Sequence, residues 1–180
     1  MRFYTGLGDD GTTDLLGARV AKDDPRVDAL GSLDEATSAI GLARSMATDS
    51  RLREDLIAVQ RDLYRIMAAL AFTPELRPES YEFAQDRVDW LGAETDAMAA
   101  SVELPREFIL PGESQPGGAL DVARSVTRRG ERQVVALAHA GHEVNPTILA
   151  YLNRLSSLLF IAARMEDRAA GSDPQRAKVR

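Results

Sequence analysis

The stretch that decides the fold is LDVARSVTRRGER, residues 120–132. Its Leu, Ala, Arg and Glu residues favour an α-helix around the single interrupting Gly130. At about 3.6 residues per turn, the charged side chains fall mostly on one face. That face carries Asp121, Arg124, Arg128, Glu131 and Arg132. Apolar residues fill the opposite face, so the segment can pack as one helix of a larger bundle.

Stacked arginines repel one another unless an anion lies against them. This stretch alone leaves two interpretations open. The first is a solvated helix face whose arginines are neutralised by Asp and Glu partners. The second is a binding site for a polyphosphate, because one guanidinium group can bind two phosphate oxygens at once and stays charged at all physiological pH values. The rest of the sequence has to decide between them.

Composition excludes several classes of protein. At 180 residues and 19.6 kDa, the chain suits one domain with a substantial core. A net charge of -6 and a pI near 5.0 argue against nucleic acid or an anionic membrane as the partner, so a cationic site would be local and would suit a small anion. The absence of Cys excludes disulfides and thiolate metal sites. No signal-like or membrane-spanning apolar run is evident, and we expect a soluble, cytoplasmic protein.

Residues 1–24 are rich in Gly, Thr and Asp and show no helical period, which predicts an ordered Gly/Thr-rich arm. Glycines at positions 6, 8 and 11 permit close backbone approach, and such a loop can hold phosphate with Lys22 beside it. A flexible N-terminal arm is the alternative. The GxxxxGK[ST] spacing of a Walker loop is absent.

Apolar periodicity predicts an all-α five-helix bundle. Its helices are expected at 24–47, 50–72, 80–102, 118–140 and from 145 to about 170, and the first and last begin with a capping residue followed by proline. We therefore expect a single domain over 1–170 and a disordered polar tail over 171–180.

Four features stand out against this bundle. The loop 103–118 contains the apolar run Phe108 to Leu110, which either plugs the chain's own core or lines a pocket. Asp34 flanks the apolar stripe of the first helix and calls for a cationic partner. Asn153 interrupts an almost wholly apolar helix and should be hydrogen-bonded, within the protein or to a ligand. His139 and His142 lack a third metal ligand nearby.

Several segments together resemble the PduO-type ATP:cob(I)alamin adenosyltransferases. They are YTGLGDDGTTDLLG, VAKDDPRVDALGSLDE, FILPG, ARSVTRRGER and YLNRLS, and they run in that family's order from residue 4 to about 165. The resemblance implies a homotrimer of helical bundles with active sites between subunits. Each site would transfer the 5′-deoxyadenosyl group of ATP to the cobalt of cob(I)alamin and release triphosphate, with Mg²⁺ bound. A reductase and an adenosylcobalamin-dependent acceptor enzyme would be further partners.

The resemblance also assigns roles to residues. The arm would wrap ATP through Thr5, Gly6, Leu7, Gly8, Thr13, Asp14 and Lys22. The triphosphate and its Mg²⁺ would be held by Arg128, Glu131 and Arg132, with Glu131 nearest the metal. Asn153 would contact the nucleotide. Arg124 would pair with Asp34 across the subunit interface, and Phe108 would pack under the corrin ring and displace its lower axial ligand.

The chain departs from the family pattern at Leu7, Glu113, Gly130 and Ser157. These departures concern arm contacts and corrin preference more than the basic polyphosphate site. Two other hypotheses remain: a binding module of the same fold that carries out no transfer, and a structural helical oligomer whose arginines form interface ion pairs.

Overall fold

The computed structural model describes residues 4–104 and 107–178. In these ranges the chain forms an antiparallel hairpin and five α-helices, so the predicted five-helix bundle is confirmed. The elements are β1 (Thr12–Leu15), β2 (Ala18–Ala21), α1 (Pro25–Met46), α2 (Ser50–Ala71), α3 (Gln85–Ala99), α4 (Gln115–His139) and α5 (Pro146–Ala169). Two short 3₁₀ turns, Pro74–Leu76 and Glu79–Tyr81, connect α2 to α3.

Four of the five helices begin at a side chain that accepts a hydrogen bond from a backbone N–H of the first turn. These caps are Asp24, Asp49, Ser114 and Asn145. Prolines occupy the first turn of α1, α4 and α5, where the missing N–H has no helical partner anyway. Local sequence therefore fixes where these helices start.

The helices pack in the order α2, α1, α4, α5 and α3, so α4 is the middle helix and α5 lies between α4 and α3. By length and hydropathy alone α5 could cross a membrane, but 56% of its apolar window is buried in the bundle. Its length and hydropathy are therefore those of a core helix. α1 and α4 approach closely at Gly130, where a Cβ would lie 3.1 Å from Leu33 Cδ2.

α3 is shorter than predicted, since it begins at Gln85 rather than residue 80 and ends at Ala99 rather than 102. Phe83 causes the late start. Its ring is buried edge-on against Tyr151, with centroids 5.0 Å apart. Its backbone carbonyl accepts hydrogen bonds from the side chains of Asn145 and Thr147, so it is not available for a hydrogen bond within α3. α4 in turn begins three residues earlier than predicted, at Gln115 after its Ser114 cap.

A buried polar tie joins α2, α3 and α5. Asp62 accepts two hydrogen bonds from Arg87 Nε at 3.0 Å, one from Arg87 Nη2 at 2.7 Å and one from Tyr151 Oη at 2.9 Å. Burial, with the adjacent Asp62 carboxylate, raises the pKa of Tyr151 well above its usual range. The phenol therefore stays protonated and donates its hydrogen bond at physiological pH. We assign these hydrogen bonds a structural role.

The N-terminal arm contains a β-hairpin that the sequence did not predict. β1 and β2 pair across a tight turn in which Gly17 takes a φ of 110°, a conformation that favours glycine. Leu16 then bonds with the end of α2, through Leu16 N to Ala71 O and Thr73 N to Leu16 O. The hairpin is thus attached to the bundle beside the last turn of α2.

The tail was predicted to be disordered, but its described part, up to residue 178, pairs with the loop before α4. Leu110 N donates to Gln175 O and Ala177 N donates to Phe108 O, each at 2.8 Å. Ile109 and Arg176 form the bridge between them. Polar composition hid this pairing because it uses backbone groups, which carry no side-chain signature.

Candidate functional site

The predicted arginine face lies along α4. Arg128 and Arg132 are exposed, while Arg124 is half-buried. Arg132 Nη1 donates to the backbone carbonyl of Arg128 at 3.1 Å, and Arg124 Nε donates to Asp121 Oδ1 at 3.1 Å. Within residues 4–104 and 107–178, the Arg128 guanidinium makes no hydrogen bond or ion pair. The face therefore carries a cation that the chain itself does not neutralise, which favours an anion-binding site over a solvated, internally paired face.

A groove between α4 and α5 borders this face. It has a volume of about 220 Å³ and combines two guanidinium groups with apolar and hydroxyl side chains. Its lining residues are Leu104, Arg124, Arg128, Ser156, Ser157, Phe160 and Ile161. Leu104 also borders a wider cleft of about 770 Å³ between the tail and the loop before α4. Cationic and apolar surfaces are thus adjacent.

Glu131 and Asn153 connect α4 to α5, because Asn153 Nδ2 donates to Glu131 Oε1 at 3.1 Å. The expectation that Asn153 is hydrogen-bonded is therefore met. The other Glu131 oxygen has no partner in the described chain. Since Mg²⁺ on a nucleotide takes one or two carboxylates and otherwise phosphate oxygens and water, one carboxylate beside the arginine face fits it. The described residues contain no group of three or more His, Asp or Glu that could hold a metal alone.

Asp34 is exposed on α1 and has no ion-pair partner in the part of the chain that the structure describes. Its neighbour Glu35 instead pairs with Arg129 of α4. Arg124 takes Asp121, a residue of its own helix, as its carboxylate partner. Asp34 and Arg124 therefore do not meet within one chain, and their pairing between two copies stays a prediction.

Hydrogen bonds within the arm fix its conformation, and some of them come from its own cationic side chains. Lys22 Nζ donates to Gly8 O at 2.7 Å, and Leu7 N donates to Thr5 Oγ1 at 3.3 Å, beside Gly6 with a φ of 76°. Asp14, next to Thr13 in β1, accepts from Arg19 Nη1 at 2.9 Å.

Arg19 was missed by the sequence reasoning. Besides Asp14 it contacts Asp10 at 3.5 Å and donates to Leu7 O. Two hydrogen bonds from Thr12, aided by Arg19, lower the pKa of Asp10. A hairpin prediction would have found Arg19, since it stands directly opposite Asp14 in the β1–β2 register.

Phe108 is 88% exposed, and Leu110 is 47% exposed. The alternative in which this apolar run plugs the chain's own core is therefore wrong for these two side chains. The tail instead binds the backbone at Phe108 and leaves its ring in solvent. An aromatic ring exposed to this extent is typical of a binding surface.

In the part of the chain that the structure describes, no hydrogen bond or ion pair joins residues 5–22 of the arm to the arginine face. All hydrogen bonds and ion pairs of residues 5–22 are made within the arm or with the end of α2, as far as the described residues go. The structure thus brings together Arg124, Arg128, Glu131, Arg132 and Asn153 on one surface and the arm residues on another.

The fold and the site together define an all-α bundle protein with a basic groove and an exposed aromatic loop. Comparison with known proteins specifies it further. The model of the cobalamin adenosyltransferase family matches residues 3–166, and the chain belongs to that family.

Individual relatives agree. The chain is 39% identical to the corrinoid adenosyltransferase of Bacillus subtilis over 175 residues, covering 95% of this chain and 89% of that one. It is 40% identical to the corrinoid adenosyltransferase PduO of Salmonella typhimurium over 172 residues, but spans only 51% of that longer protein. A variant of the PduO-type ATP:corrinoid adenosyltransferase from Lactobacillus reuteri, solved with cobalamin and ATP, superimposes with a TM-score of 0.92 at 33% identity, over 99% of this chain and 100% of that one.

Proposed function

We propose that the chain transfers the 5′-deoxyadenosyl group of ATP to the cobalt of cob(I)alamin, giving adenosylcobalamin and triphosphate. The unpaired Arg128 guanidinium in a groove that also carries apolar side chains is the observation that supports this most directly. A triphosphate needs the cations and a corrin needs the apolar surface. Family membership supplies the reaction type.

The chemistry asks little of side-chain nucleophiles. The electron pair of cobalt(I) attacks C5′ of ATP and forms the cobalt–carbon bond, the bond between C5′ and the phosphate oxygen breaks, and triphosphate leaves with the electrons of that broken bond. The protein has to hold C5′ in line with cobalt and stabilise the charge on the leaving group. An arginine face beside the apolar side chains of the groove can provide both positioning and electrostatic stabilisation.

Arg128 and Arg132 bind the triphosphate, and Lys22 binds it from the arm. ATP near pH 7 carries about four negative charges, and Mg²⁺ held by Glu131 would neutralise part of them. A hydrogen bond between charged groups contributes roughly 1.5–3 kcal/mol, so loss of Arg128 lowers the transfer rate about tenfold to a hundredfold. Asn153 positions Glu131 and contacts the nucleotide.

Phe108 acts on the corrin. Its exposed ring packs under the macrocycle, excludes water from the lower face of cobalt and displaces the lower axial ligand. Removing that ligand makes reduction of cob(II)alamin to cobalt(I) easier. The tail fixes the backbone at Phe108, so the ring projects from a held segment.

The working unit is a homotrimer, in which the arm of one copy closes over the arginine face of another. The absence of any hydrogen bond or ion pair between residues 5–22 and the arginine face within the described chain supports this assembly. Asp34 of one copy pairs with Arg124 of the next. Asp34 thereby gains an ion-pair partner, and Arg124 gains a second carboxylate besides Asp121, which it shares with Arg164. A reductase delivers the electron, an adenosylcobalamin-dependent enzyme accepts the product, and the protein acts in the cytoplasm.

An anaerobic absorbance assay tests this function. The parent chain receives Mg²⁺, ATP and either cob(II)alamin with a strong reductant or preformed cob(I)alamin. We expect adenosylcobalamin from both corrinoids in the parent. Arg128→Ala should slow transfer about tenfold to a hundredfold with both corrinoids, and Phe108→Ala should lose transfer with cob(II)alamin alone. Arg61→Ala and Tyr64→Ala, which remove exposed side chains of the same kind from α2, serve as matched controls and should remain active.

No product from either corrinoid would refute the enzyme and favour a binding module of the same fold, which binds ATP or corrinoid without releasing triphosphate. If Arg128→Ala only disrupts assembly and no ligand shifts the melting curve, the arginines are structural.

A further inference from the structure

A buried chain of charges runs behind the arginine face. Ser114 Oγ donates to Asp167 Oδ1 at 2.7 Å, and Arg164 Nη2 lies 2.9 Å from Asp167 Oδ2. The same Arg164 nitrogen donates to Asp121 Oδ2 at 2.5 Å. The other oxygen of Asp121 accepts from Arg124 Nε at 3.1 Å. One end of this chain caps α4 and the other end is Arg124 in the groove.

Because these charged side chains are buried, their charges have to be balanced by one another rather than by water. Asp121, Arg164 and Asp167 are 4%, 4% and 1% exposed. Two buried carboxylates face one buried guanidinium, which leaves one negative charge uncompensated unless Arg124 supplies the balancing cation. Water can screen Arg124 but not Asp121, so the attraction between them is stronger than that of a surface pair.

The geometry also fixes which part of Arg124 is used. Asp121 engages Nε alone, and the two terminal nitrogens form no hydrogen bond with any described residue. Those nitrogens are the fork that binds carboxylates and phosphates in pairs. A carboxylate held rigidly from behind by Arg164 therefore orients the fork without occupying it.

We infer that Asp121, held by Arg164 and Asp167, is a positioning residue that orients Arg124 for adenosyl transfer. The inference rests on the proposed function. Asp121 itself touches neither ATP nor corrin and acts only through Arg124. Substituting Asp121 should therefore have no effect once Arg124 has been removed.

A double-mutant cycle on the intact protein tests this. Asp121→Asn keeps the shape of the side chain and removes its charge, and Arg124→Ala removes the group on which it acts. We expect Asp121→Asn to lower kcat/KM for ATP at least tenfold, and to change it less than twofold in the Arg124→Ala background. A residue that merely supports the fold would give additive losses, because it would not act through one arginine.

Asp62→Asn is the matched control, since Asp62 is a similarly buried aspartate whose hydrogen-bond partners, Arg87 and Tyr151, are not part of the arginine face. It should lower the melting temperature as Asp121→Asn does, yet change kcat/KM less than twofold. If Asp121→Asn does not fold, Asp121→Glu keeps the charge, displaces the carboxylate by one methylene and should show the same non-additive loss.

Full activity of a folded Asp121 variant, or additive losses with Arg124→Ala, would overturn the positioning role while the parent remains an active transferase. A parent chain that makes no adenosylcobalamin would overturn the proposed function and this inference with it.

Discussion

Gly117, in the first turn of α4, has no room for a side chain. A Cβ there would lie 2.0 Å from Asp167 Oδ1, 2.7 Å from its Cγ and 2.8 Å from Ser114 Oγ. Asp167 would have to move by about 1.4 Å to reach an ordinary contact distance of 3.4 Å. It is almost fully buried and bound to both Ser114 and Arg164, so this movement breaks existing bonds.

The cost of Gly117→Ala follows from those bonds. Losing the hydrogen bond between Ser114 and the Asp167 carboxylate costs about 1.5–3 kcal/mol. Weakening the Ser114 cap, which accepts from Gly117 N at 3.0 Å, costs about 1 kcal/mol more. The higher helix propensity of alanine returns up to about 1 kcal/mol. We therefore expect the free energy of unfolding to fall by about 2–4 kcal/mol.

Urea denaturation and thermal melting at one fixed protein concentration measure this. For a chain of this size the loss corresponds to a fall in Tm of roughly 4–16 °C. Gly118→Ala is the control, because its Cβ would have Gly112 Cα at 3.5 Å as its nearest neighbour, an ordinary contact. Its stability should be unchanged or slightly higher. The reasoning is refuted if Gly117→Ala stays within 0.5 kcal/mol of the parent, the usual range for a surface substitution, or if both variants lose stability equally.

Three further substitutions test other buried groups. Tyr151→Phe removes the phenol from Asp62 and should lower the free energy of unfolding by about 1–3 kcal/mol in urea, with transfer activity unchanged in the folded protein. Glu166→Ala leaves the N–H groups of Thr48 and Asp49 without their acceptor and should cost about 3 kcal/mol in the same assay; a loss below 1 kcal/mol would contradict this. Burial, aided by Glu94, raises the pKa of Asp55 above its ordinary 3.8, so its ionisation opposes folding. Asp55→Asn should therefore raise Tm at pH 7 and not at pH 3, and an equal gain at both would exclude ionisation as the cause.

Helix starts could be predicted where the signal is local. Asp24 and Asn145, each followed by proline, fix the first and last helices within two residues. The third helix was predicted too long, because its start depends on Phe83 packing against a tyrosine of α5 that no local pattern reveals.

The candidate site likewise has a part that local sequence predicts and a part that it does not. The helical period of α4 predicted that Arg124, Arg128 and Arg132 share one face. The partners behind that face were not predictable: Asp121 was expected on the charged surface, but it is buried against Arg164, a residue of the last helix. The hairpin and the tail pairing use backbone groups of distant segments, which side-chain patterns do not report.

Glu166 has a consequence for the order in which the chain can fold as it is synthesised. The turn between α1 and α2 emerges from the ribosome early, yet its Thr48 and Asp49 N–H groups take their acceptor from the last helix. The α1–α2 pair is therefore incomplete until nearly the whole domain has been translated. A nascent chain stalled before α5 should expose this turn to proteases, and release of the finished chain should protect it.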